Sequence, residues 1–182
     1  MGQDFFMLPY DDPARAHRLL EFCVRSALNY AGTLRQHQGR PFRPGPGGFC
    51  DDFAGIFPPE KFRQFVLPYW ERMYQGIQAT HRGLHSELLR QEHLPFLKPL
   101  KIAEYDPSVD PFLPPEVLKK SCPVPFTLRI WPAEVMSHSA EKLVEMYRYR
   151  TTFEPTVISF HLARLSEEDK IVALLEVARQ LA

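Results

Sequence analysis

The sequence has no surplus of either charge: 22 basic residues stand against 22 acidic ones in a chain of 182. Without a basic excess, the electrostatic attraction that drives general nucleic-acid binding is missing, and no nucleic-acid partner is expected. Long hydrophobic runs are missing too. No apolar stretch approaches the ~20 residues that span a bilayer, and the start Met1-Gly2-Gln3-Asp4 has no basic segment leading into an apolar one. The expectation is a cytoplasmic protein with no membrane partner. Cysteine is scarce: Cys23, Cys50 and Cys122 lie far apart with no C-x-x-C pair, so neither a disulfide framework nor a zinc ribbon follows.

What is present suits one sizeable core, since 45% of the residues are hydrophobic and 13% aromatic. That apolar content, with zero net charge, excludes disorder. Proline is abundant at 18 residues, about twice average usage, and implies short elements separated by rigid turns. Asp12 followed by Pro13 reads as a helix N-cap and first helical position. Leu19, Leu20, Cys23, Val24, Ala27, Leu28 and Ala31 then recur at helical spacing, with an end near Gly39.

The stretch 40–48 carries three prolines and three glycines and is predicted to be a loop. It is either a lid or contact loop, or a plain connector. Residues 49–55 read as a buried strand with Asp51 and Asp52 in its C-terminal half. Pro58-Pro59 opens a long helix to about Thr80, kinked at Pro68.

Beyond it the pattern predicts a weak strand at 82–86 and a short helix at 87–91, then a strand at 101–106 and a helix from Pro114-Pro115 to Ser121. A strand at 126–131, a helix over 133–149 and a strand at 156–161 follow. The capping-box-like Ser166-Glu167-Glu168-Asp169 opens a last helix. Strict alternation of this kind predicts an α/β fold of parallel βα units joined by right-handed crossovers.

In parallel α/β folds the chemistry lies beyond the carboxyl ends of the strands. Those ends carry Asp51 and Asp52, then His85 and Glu87, then Glu104 and Asp106, then Arg129, then His161. His85 and Glu87 are two apart and face the same way while the backbone stays extended. With His161 from another strand, they form a donor set suited to zinc or a similar divalent ion. Such an ion activates a thiol or water at an open position. Plainer roles compete. Asp51-Asp52 equally suits a cap of the turn into the Pro58-Pro59 helix, His161 a hydrogen-bonded core histidine, and Arg129 the neutralisation of a nearby carboxylate. His17, His37, His81, His93 and His138 read as surface residues, and Tyr69 and Trp70 as core.

The segments 10–20, 58–69 and 83–87, and 157–161 followed by Ser-Glu-Glu-Asp, resemble the uroporphyrinogen decarboxylase superfamily. That superfamily also contains cobamide-dependent methyltransferases and, more distantly, cobalamin-independent methionine synthase. The resemblance implies a TIM barrel, which has eight βα units and about 250 residues. Segment 10–20 resembles a part lying halfway along that barrel, so residues 1–182 resemble a single C-terminal half-barrel domain.

The methyltransferase branch resembles this chain most closely. Its His-x-Cys falls at His85-Ser86-Glu87 and its later zinc-binding Cys at His161, while the methionine synthase glutamate falls at Glu104, with Asp106 as second choice. The resemblance therefore implies a divalent metal on His85, Glu87, His161 and Glu104, zinc first, with iron, manganese or nickel competing for this harder donor set. It implies methyl transfer to an activated thiol, substrate oriented by Asp51, Asp52 and Arg129, and a corrinoid supplied through a partner protein.

No counterpart of the amino-terminal Arg-rich motif of true porphyrinogen decarboxylases is present, so porphyrinogen decarboxylation is not expected. The alternatives are a non-catalytic subunit or degenerate paralogue that completes a barrel or binds a corrinoid protein, and a metal-independent decarboxylase or lyase using Asp51 or Asp52. The open edges of a half-barrel predict a homodimer or a chain supplying the other half.

Overall fold

A computed structural model describes residues 3–181. The chain runs α1 (Asp4–Asp11), α2 (Pro13–His37), β1 (Gly45–Cys50), α3 (Pro59–Phe65), α4 (Leu67–Gly76), β2 (Ala79–His85), β3 (Ile102–Asp106), α5 (Pro115–Ser121), β4 (Thr127–Ile130), α6 (Pro132–Ser137), α7 (Ala140–Thr151), β5 (Val157–Phe160) and α8 (Glu168–Leu181). Strands β1, β2 and β3 form one parallel sheet and β4 and β5 another. A single parallel bridge from Tyr105 to Phe126 joins the two, tightened by Tyr105 N–H donating to the Pro125 carbonyl at 2.9 Å. The strands thus lie side by side in chain order. This is the expected α/β arrangement of parallel units, consistent with part of a TIM barrel; the described strands do not close.

Prolines start the helices because a missing N–H costs nothing in the first turn. Pro13, Pro59, Pro115 and Pro132 all stand there, and the Asp12 side chain caps α2 by accepting from Arg15 N–H at 2.9 Å. The helix predicted to kink at Pro68 is instead two helices. The chain breaks at Val66, so Pro68 falls in the first turn of α4, where its ring meets no helical carbonyl. The predicted 133–149 helix also divides, because Ser139 leaves helical geometry and caps α7. The short helix expected at 87–91 does not form; a 3-10 segment occupies Gln91–Phe96 instead. Helix α1 was not anticipated.

The largest departure is at 40–48. Gly45, Pro46, Gly47 and Gly48 belong to strand β1, which pairs with β2 over its whole length. Gly48 stands opposite Gly83, and a Cβ on Gly48 would lie 2.6 Å from the Gly83 carbonyl oxygen. Gly48 is therefore a requirement of close strand approach rather than a breaker. The predicted 49–55 strand correspondingly ends at Cys50, leaving Asp51 and Asp52 in the turn beyond it.

Alternation along the strands divides the sheet faces. Leu84, Tyr105, Leu128 and Ile130 turn toward the helices and are buried. There they join Phe62, Trp70, Tyr74, Leu94 and Leu118 in one cluster, and Val135, Leu143 and Leu174 in a second. His93, expected at the surface, is only 1% exposed. Its Nδ1 accepts from Arg90 N–H at 3.0 Å, leaving Nε2–H to donate to the Phe57 carbonyl at 2.9 Å.

Candidate functional site

Parallel pairing sets His85, the last residue of β2, beside Asp106, the last of β3. Their side chains meet on the face away from the helices, with His85 Nδ1 2.9 Å from Asp106 Oδ2. Arg129 reaches in from β4. Its Nε donates to Asp106 Oδ1 at 3.1 Å and its Nη2 to Oδ2, a two-pronged pair. Burial alone would raise the Asp106 carboxyl, but Arg129, the Ser108 N–H at 2.9 Å and His85 outweigh it and hold the group below the usual carboxylate range. Asp106 is thus a fixed anion that orients the imidazole. The other ring nitrogen, Nε2, faces Asp52 Oδ1 at 3.3 Å. That oxygen is buried and lies within ionic reach of the ring without hydrogen-bond geometry to any described group.

Beneath these side chains the strand ends are laced together. Asp51 N–H donates to the His85 carbonyl at 3.0 Å and Ser86 N–H to the Asp106 carbonyl at 3.2 Å. Ser86 Oγ donates to the Asp51 carbonyl at 2.6 Å, and Tyr105 OH to the Ser86 carbonyl at 2.9 Å. Ser86 and Tyr105 are fully buried. Burial first, and then nearby negative charge led by Asp110, pushes the Tyr105 phenol far up and keeps it a donor. Leu88 adopts a left-handed conformation, and a Cβ on Gly55 would overlap its carbonyl oxygen. The loops after β1 and β2 therefore pack backbone against backbone, which fixes Asp52 relative to His85.

Around this centre lies an open depression of about 500 Å³ whose lining includes His85, Glu104, Asp106, Arg129, Ser159 and His161. Asp52, His85 and Arg129 are brought together with Asp106, while Glu104 and His161 line the same depression without joining that network. Two expected residues lie elsewhere. Glu87 does not line the depression; its charge acts on buried Asp110, whose carboxyl is raised mainly by burial. Asp51 turns to the opposite side, where its Oδ2 accepts from Trp70 Nε1 at 2.8 Å.

Among the described residues no three His, Cys, Asp or Glu side chains converge to hold a metal ion. The donor set His85, Glu87, His161 and Glu104 does not fit one as arranged. The structural weight of Trp70 and Ser86 was not evident from sequence, where Asp106 stood out only as a strand-end carboxylate and second-choice metal ligand rather than as the partner of His85 and Arg129. The available signal was the equal offset of His85 and Asp106 at the ends of neighbouring strands.

Residues 1–124 match the family described as Uroporphyrinogen decarboxylase (URO-D), a span containing Asp52, His85 and Asp106. A curated protein named uroporphyrinogen decarboxylase, from Chromohalobacter salexigens, is 27% identical to this chain over 82 residues. That similarity covers 45% of the chain and 22% of the relative's length. No helix among the described residues is long and apolar enough to cross a membrane.

Proposed function

Because this chain belongs to the uroporphyrinogen decarboxylase family, we propose that its strand-end depression binds a small carboxylic acid and delivers a proton in a metal-independent decarboxylation. The observation carrying this reading is His85 held between Asp106 and Asp52, with Arg129 clamped on Asp106. With His85 protonated, two cations balance two carboxylates. The bond from the substrate carbon to its carboxylate breaks and CO₂ leaves. The electron pair stays on the carbon, delocalised over an adjacent π-system of the substrate. His85 Nε2 gives its proton to that carbon, and solvent restores it by way of Asp52. Asp106 keeps the ring oriented and stabilises the imidazolium, the role an aspartate plays toward histidine in a hydrolase triad.

The test is CO₂ release from a panel of small carboxylic acids, with and without chelator. His85→Ala and Asp52→Asn are expected to lower the rate by about 10²-fold or more, the usual scale for a general acid, with chelator having no effect. Activity that tracks bound zinc would overturn this reading in favour of the metal-dependent methyltransferase-like one, with its corrinoid partner. A second reading concerns assembly: the outer edges of β1 and β5 are unpaired among the described strands, which favours a C-terminal half-barrel completed by a second copy or by another chain.

A further inference from the structure

A second cavity, of about 450 Å³, opens on the other side of β1, between α1, α2, α4 and the turn after the strand. It owes its existence to α2. That helix turns Leu20, Cys23, Val24 and Ala27 toward the body of the protein, and three of these four are too small to fill the space across to α4. Eight of the seventeen described lining residues are aromatic, including Phe5, Phe6, Phe49, Phe57, Tyr69 and Trp70. Several of these rings meet edge to face, as Phe49 and Trp70 do at 5.9 Å between centroids. The walls therefore present π-faces as well as apolar edges.

Asp51 is the only charged residue in the lining among the described residues. Its described side-chain partners are uncharged: Trp70 Nε1 at 2.8 Å and the Phe53 N–H at 3.4 Å. Among the described residues no lysine or arginine lines the cavity. A carboxylate without a countercharge, set in an aromatic wall, attracts a cation by Coulomb force and by the ring quadrupoles together. It repels fatty acids and other anions.

We propose that this cavity is a binding site for an organic ammonium ion carrying a small apolar group, with the charged nitrogen beside Asp51 and the apolar part against Phe5, Phe49 and Tyr69. The proposal goes beyond the decarboxylation reading and does not depend on it, since the cavity lies across β1 from His85. Titration calorimetry with benzyltrimethylammonium, benzyl alcohol and phenylacetate on the full chain tests it. The ammonium is expected to bind at least about tenfold tighter than the uncharged alcohol, and phenylacetate not at all. Asp51→Asn, which keeps an acceptor for Trp70, is expected to remove that preference while the melting temperature holds. Ala27→Phe, which fills the cavity, is expected to abolish binding of both ligands. Equal affinity for the ammonium and the alcohol, no binding of the ammonium, a preference that survives Asp51→Asn, or binding that survives Ala27→Phe would overturn the proposal.

Discussion

His93 carries a pH dependence whose sign its surroundings fix. Burial, more than any other influence, pushes its imidazole below the ordinary histidine value, and its Nδ1 must stay unprotonated to accept from Arg90. The folded pKa lies under that of the unfolded chain, near 6.5, so the unfolded state takes up the proton first. His93 therefore costs no stability above pH of about 6.5 and destabilises progressively below it. Urea midpoints measured from pH 8 down to 5 are expected to fall across this window, and His93→Leu to flatten the decline. Asp110 acts with the opposite sign, because burial raises its carboxyl and acid favours its folded form.

The Asp106–Arg129 pair is the other residue-level test. Asp106→Ala leaves a half-buried guanidinium without its main partner, at a cost of about 1–3 kcal/mol. That is less than for a fully buried pair, since the two side chains are 23% and 30% exposed. Chemical denaturation of the variant measures the loss.

Among the elements, the helices were the most legible, because Asp12-Pro13, Pro58-Pro59, Pro114-Pro115 and Pro132 mark starts whose physics is local. Strand β1 was not legible: a run of Gly and Pro has no propensity for a strand and becomes one only because β2 accepts it at close range. Gly48→Ala places a methyl against the β2 backbone and is expected to cost about 1–3 kcal/mol, read as a lower melting temperature. The same locality explains the site. His85, Asp52 and Arg129 could be picked out as charged groups at strand ends, whereas Glu87 was paired with His85 on the premise of an extended backbone. The chain abandons that conformation at Ser86 and reaches a left-handed turn at Leu88, which separates the two side chains. Trp70 looked like core and is core, yet its indole N–H also fixes Asp51, a contact between residues 19 apart that no periodicity reports.

At the scale of the whole molecule, the parallel strands in chain order leave β1 and β5 as edges. Backbone groups on such edges pair readily with another chain, and sedimentation at micromolar concentration is expected to give at least twice the 21.2 kDa chain mass. A monomer across that range would set the half-barrel assembly aside.

The pairing of Gly48 with Gly83 also decides what a ligand meets in the depression. Both glycines line it, so part of its floor is bare peptide, a flat surface with no side chain standing on it. A planar molecule can lie there, whereas a branched one gains nothing from the flatness. A Cβ on Gly83, unlike one on Gly48, meets no atom within 4 Å and would stand up into the open space. Gly83→Val is thus expected to leave the fold intact by thermal melting while excluding flat ligands first, making a missing side chain the gauge of which molecules enter.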